Sequence, residues 1–212
     1  SLAFMALQRY NEALSDCKTA IDLKKDEINY YNLGLVYEQL ELYDNAEQAY
    51  RESIAINRNV VESQMALAKL SYKISKYDLA MASVNQALRI NSKLKEGYIL
   101  RSKIYAAQMN LSKAVDDISV ALKLFQGDLD LHVLRGDFYQ ELSRHSDAIV
   151  DYTIVIEEDT ARNPEVYLKR AESYEFVRNF DAAKKDYHTL LVISEHDGNT
   201  QRLLAKFQER MF

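Results

Sequence analysis

Apolar and polar positions along this chain recur in steps of three and four, not two. In 28–40, Leu33, Tyr37 and Leu40 fall on one side of a helix, so the pattern predicts an amphipathic helix there. A second helical stretch follows within a few residues, and the pair then returns. Ala13, Ala46, Ala80, Ala114, Ala148 and Ala183 stand 33, 34, 34, 34 and 35 residues apart. Twelve residues before each alanine is a small residue: Ser1, Gly34, Ala68, Ser102, Gly136 and Ala171. Three residues after these come Phe4, Tyr37, Ser71, Tyr105, Tyr139 and Tyr174, five of the six aromatic. Three columns in one register predict tandem two-helix units.

Two residues before each alanine stand Asn11, Asp44, Asp78, Ser112, Ser146 and Asp181, all able to accept from free amides of a first turn. The second helices are expected to be capped there, and Asp44 with Glu47 resembles a capping box. Small residues on facing helices predict closely approaching axes, with large neighbours such as Tyr37 and Tyr50 filling the gaps. A single hairpin cannot bury its apolar face alone, whereas a stack of them can.

Composition agrees with a folded helical chain. Of 212 residues, 48% are apolar and 28% charged, with one proline and five glycines; so little Pro and Gly disfavours a turn-rich β fold. The net charge of -5 offers no general attraction to phosphate backbones, so no nucleic-acid partner is expected. No apolar run is long enough to span a membrane, and SLAFMAL lacks the charged lead of a secretory signal. The lone Cys17 forms no intrachain disulfide, which favours a cytoplasmic, reducing setting. The start on Ser in mid-unit leads to the expectation of a fragment of a longer parent.

Tyr30, Leu33, Gly34, Tyr37, Ala46 and Tyr50 together resemble the tetratricopeptide repeat. The resemblance runs over a partial unit (1–26), full units at 27–60, 61–94, 95–128, 129–162 and 164–197, and a remainder at 199–212, in one array. It implies an all-α fold, a right-handed α-solenoid of tandem helix-turn-helix hairpins. In 199–212, Leu203, Leu204, Phe207 and Met211 form one apolar stripe, expected to be a capping helix or the start of a further repeat. The family's proline between units is absent: Arg58, Ser92, Gln126, Thr160 and Glu195 stand there. Arg101, Arg135 and Arg170 replace the leucine before the small residue, with stems expected to pack while their heads reach water.

Catalytic constellations are lacking. His132, His145, His188 and His196 do not pair with each other or with Cys17 at metal-ligand spacing. His132 and His145 occupy aromatic columns and read as packed side chains, and Cys17 as a core thiol. There is no P-loop and no G-x-G-x-x-G. Asp116–Asp117 and Glu157–Glu158 are sequence neighbours, which do not face each other on a helix. The chain is therefore expected not to be an enzyme and to carry no cofactor and no metal.

In the family, first helices line the concave face, so the resemblance implies a groove of first-helix residues left over from packing. Its apolar members are Tyr31, Leu35, Met65, Ile99, Leu100, Val133, Leu134 and Leu168; its polar members include Asn32, Lys69, Lys73, Lys103, Asp137, Glu141, Glu172 and Glu175. Lysines collect in 61–106 and acids in 130–175, so a bound segment with one acidic and one basic end is expected. The expected function is a scaffold or adaptor that binds a peptide or helix of a partner protein within a larger assembly. Self-association through the array ends is compatible with it. The alternatives are a regulatory module of a larger enzyme and a co-chaperone for carboxylate tails. The second fits poorly, because Glu62, Glu96 and Asp130 stand where that clamp needs cations.

Overall fold

The computed structural model describes residues 2–158 and 164–193. Among them are eleven helices: α1 (Leu2–Leu23), α2 (Glu27–Gln39), α3 (Tyr43–Ile56), α4 (Val61–Lys73), α5 (Tyr77–Ile90), α6 (Lys95–Ala107), α7 (Leu111–Leu124), α8 (Leu129–Glu141), α9 (His145–Glu158), α10 (Pro164–Phe176) and α11 (Phe180–Ile193). The chain divides into two compact units, Ser1–Gln108 with α1–α6 and Met109–Phe212 with α7–α11. The expected helix at 199–212 lies outside the described residues.

A left-handed residue sets each hairpin turn. Glu41, Ser75, Met109, Ser143 and Arg178 have φ between 58° and 60°. In the first of these turns, Leu42 N–H donates to the Tyr37 carbonyl at 2.9 Å and Glu41 N–H to that of Glu38 at 3.1 Å. The same pair of bonds closes the turns at Ser75, Ser143 and Arg178. This satisfies the last carbonyls of the preceding helix, a job usually given to glycine.

These tight turns also move the helix starts. Asp44 and Asp78 are the second residues of α3 and α5, whose N-caps are Leu42 and Lys76, without a capping side chain. Ser112, Ser146 and Asp181 likewise lie inside α7, α9 and α11, and Asn11 lies within the unbroken α1. The expected caps and the Asp44–Glu47 box are thus not formed: the turn's own backbone bonds begin the helix earlier. Asp44, Asp78 and Asp181 still favour their helix as first-turn acids. Side-chain capping falls elsewhere, with Asp26 accepting from Asn29 N at 2.9 Å and Asp128 from Leu131 N at 3.2 Å.

In the first unit, Ile21 of α1 packs with Leu33 and Ala49, beside the half-buried Cys17. Burial, and then the adjacent Asp16, push the Cys17 thiol up. Ala46, Tyr50, Leu67 and Leu70 form the next layer. A Cβ on Gly34 would run into the Tyr50 ring, so the glycine lets that ring close onto α2. A buried hydroxyl pair, Ser53 and Ser63 at 2.7 Å, joins the α2–α3 hairpin to α4.

In the second unit, Ala148, Tyr152, Val155, Ile156, Val166 and Tyr167 form the larger cluster, and Ala171, Ala183 and Tyr187 the smaller. Gly136 repeats the role of Gly34, with Tyr152 Cε1 only 2.6 Å from where a Cβ would stand.

The arginines depart from the expectation that their heads reach water. Arg135 grips Asp151, a carboxylate with 1% of its side chain exposed. Arg170 grips Asp186 in the same two-armed way. Each also donates to the preceding hairpin's second helix: Arg101 to Asn85 at 2.8 Å, Arg135 to Ser119 at 3.2 Å, Arg170 to Thr153 at 3.0 Å. The planar guanidinium presents five donors in a fixed fork, so it can hold a carboxylate with two parallel bonds and still donate to a second partner.

Candidate partner-binding faces

In the first unit, α2, α4 and the start of α6 enclose a cleft of about 540 Å³. It is lined by Tyr31, Leu35 and Glu38 from α2, by Val61, Glu62, Met65, Ala66 and Lys69 from α4, and by Leu94 and Glu96. The cleft therefore unites four residues expected from the sequence: Tyr31, Leu35, Met65 and Lys69. Leu35 is 38% exposed, while Met65 at 7% is part of the core as well as the wall. Tyr31 leans on Tyr50, with ring centroids 6.1 Å apart.

The remaining expected residues of this unit do not line the cleft. Asn32 and Lys103 are exposed, Ile99 is half-buried and Leu100 is buried. Lys73 sits 4.8 Å over the Tyr43 ring, and its hydrogen bond to Tyr43 holds its ammonium above the ordinary lysine range.

Glu38, Val61, Glu62, Ala66, Leu94 and Glu96 line the cleft without having been singled out from the sequence as groove residues. A signal for two of them was present: Glu62 and Glu96 stand 34 residues apart, each second in its first helix. For Leu94 there was none, since it lies before α6 rather than in it. Tyr50 donates its hydroxyl to Glu38 Oε2 at 2.9 Å. Burial, then the Glu38 charge, push the phenol far up, so it is always a donor.

The second unit has a different character. Val133 packs against the Tyr152 cluster and Leu168 against the Tyr187 cluster. Leu134 and Glu172 are half-buried. Asp137 is held by Lys169, whose Nζ lies 2.9 Å from each carboxylate oxygen, and also accepts from the Tyr152 hydroxyl at 2.8 Å. Glu165 adds a longer pair to Lys169 at 3.6 Å. The expected segregation of charge is modified at two points: three carboxylates line the first unit's cleft beside Lys69, and Asp137 in the second unit is paired with Lys169.

His132 and His145 are packed side chains, whereas His188 is exposed and His196 lies outside the described residues. His132 Nδ1 lies 2.7 Å from Asp151 Oδ1. His145 stacks on Phe176 with ring centroids 4.1 Å apart and planes 2° from parallel. Among the described residues, no group of three or more His, Cys, Asp or Glu is placed to hold a metal ion. No described helix is long and apolar enough to cross a membrane.

The sequence model of the tetratricopeptide repeat matches residues 30–60. None of the curated proteins matches the sequence. Among solved structures, the chain is similar to MamA at 21% identity and TM-score 0.73, over 80% of this chain and 92% of that one. It is similar to YrrB, described as a TPR protein with an unusual peptide-binding site, at 14% identity and TM-score 0.71, over 89% and 97%. A tetratricopeptide repeat protein from Parabacteroides merdae shares 17% identity at TM-score 0.74, over 99% and 83%. At such identities the likeness is one of fold, a tandem series of helical hairpins.

Proposed function

Because the chain is a tetratricopeptide-repeat protein, we propose that it is a non-catalytic scaffold whose first-helix faces hold a peptide or short helix of a partner protein within a larger assembly. The observation that carries this reading is the cleft between α2 and α4, where Leu35 stays 38% exposed beside Tyr31 and Met65. An apolar wall left open to water gains free energy when a partner's apolar side chain covers it. YrrB, a fold neighbour, is described as having a peptide-binding site, which supports the same use here.

Ile99 and Lys103 in the first unit, and Val133, Leu134, Leu168 and Glu172 in the second, are the further candidate contacts. A carboxylate-tail clamp is the weaker reading, since Glu62 and Glu96 would repel such a tail.

The test is partner recovery by the full chain against a Leu35→Glu, Ile99→Glu, Val133→Glu variant that keeps its helical circular dichroism. Recovery is expected to be lost. Equal recovery by the folded variant removes the groove from the mechanism.

A further inference from the structure

The walls of the α2–α4 cleft carry Glu38, Glu62 and Glu96, with Lys69 the one cation among its lining residues. Glu62 and Glu96 are exposed, and neither makes an ion pair or side-chain hydrogen bond among the described residues. Glu38 is different: the Tyr50 hydroxyl fixes one of its oxygens at 2.9 Å, which holds the carboxylate in place. Lys73 lies close enough to Glu38 for that charge to help hold its own proton, so Glu62 and Glu96 are the two carboxylates left for a ligand. Beside them, Leu35 offers an open apolar contact.

We infer that this cleft takes a basic apolar segment, one with a Lys or Arg next to a large aliphatic or aromatic side chain, and rejects acidic tails. The inference rests on the reading of the cleft as a partner site and adds the chemistry of what it selects. An apolar side chain supplies the burial against Leu35. The neighbouring cation meets Glu62 and Glu96, which sets preference and orientation more than raw affinity. A carboxylate in the same place meets two like charges instead.

The experiment passes a degenerate ten-residue peptide library over the immobilised full chain and reads the bound pool by sequencing. Enrichment of Lys or Arg adjacent to Leu, Ile, Met or Phe is expected. A representative peptide should bind roughly tenfold more weakly to a Glu62→Gln, Glu96→Gln variant, and more weakly at high salt. A Glu157→Gln, Glu158→Gln control, with both sites exposed in the second unit, should bind it unchanged. Enrichment of acidic or uncharged peptides that Leu35→Glu abolishes overturns the basic preference but keeps the cleft. An empty pool, or one indifferent to Leu35→Glu, overturns both. Equal loss in the Glu157, Glu158 control overturns the inference by reducing it to overall charge.

Discussion

Arg135 and Asp151 meet arm to arm: Nε lies 2.8 Å from Oδ2 and Nη2 lies 2.7 Å from Oδ1. The pair joins α8 to α9, and the second arm to Ser119 ties in α7. In the earlier hairpins the equivalent positions hold Leu33 with Ala49 and Leu67 with Ser83, all buried. The same structural slot is therefore filled by an apolar contact in some hairpins and an ion pair in others.

That exchange predicts an asymmetry. Arg135→Leu alone leaves the buried Asp151 with His132 as its one side-chain partner among the described residues, and should cost about 3–5 kcal/mol. Arg135→Leu with Asp151→Ala recreates the Leu33–Ala49 pairing and should recover most of the loss. Chemical denaturation of both single variants and the double measures the coupling. Additive losses would show that the pair contributes through separate contacts.

Gly136 predicts a reversal of helix propensity. Alanine should favour a helix by about 1 kcal/mol, yet its Cβ would press on Tyr152. Overpacking costs about 1–3 kcal/mol, so Gly136→Ala should be less stable on balance. The last hairpin pairs Ala171 with a buried Tyr187, so the cost depends on how far the ring can slide. In a Tyr152→Val background the same change should become stabilising, as thermal melts would read.

Ser143 is exposed at φ 58°. A left-handed conformation costs a residue with a Cβ about 1–2 kcal/mol, while glycine adds about 0.4–1 kcal/mol of unfolded-state freedom. Ser143→Gly should therefore stabilise by about 0.5–1 kcal/mol, a Tm rise of about 1–4 °C. Ser143→Val should lower Tm.

His145 gives a pH dependence. Burial lowers its proton affinity in the folded state, and its Nδ1 is buried without a hydrogen-bond partner among the described residues. The unfolded chain then binds a proton more readily, so stability falls as pH drops through the ordinary histidine range near 6.5 and below it. Tyr43 and Tyr77 fill this column in earlier hairpins, so His145→Tyr should keep the stack on Phe176. The Tm loss between pH 7.5 and 5.5 should be smaller in that variant than in the parent chain. An unchanged pH slope would exclude His145 as its source.

The sequence alone determined the hairpins, because burial in a stack demands a small residue wherever two helices touch, and that demand repeats with the unit. Gly34, Ala46 and Tyr50 were readable for this reason. Tertiary structure decided what depends on groups meeting across helices. Caps moved because backbone bonds in the turns start the helices before Asp44 and Asp78. The arginines turned inward because Asp151 and Asp186, sixteen residues on, offer partners that no helical period reveals. The chemistry of the cleft was settled last, since Glu38, Glu62 and Glu96 come from three helices and converge only when those helices pack.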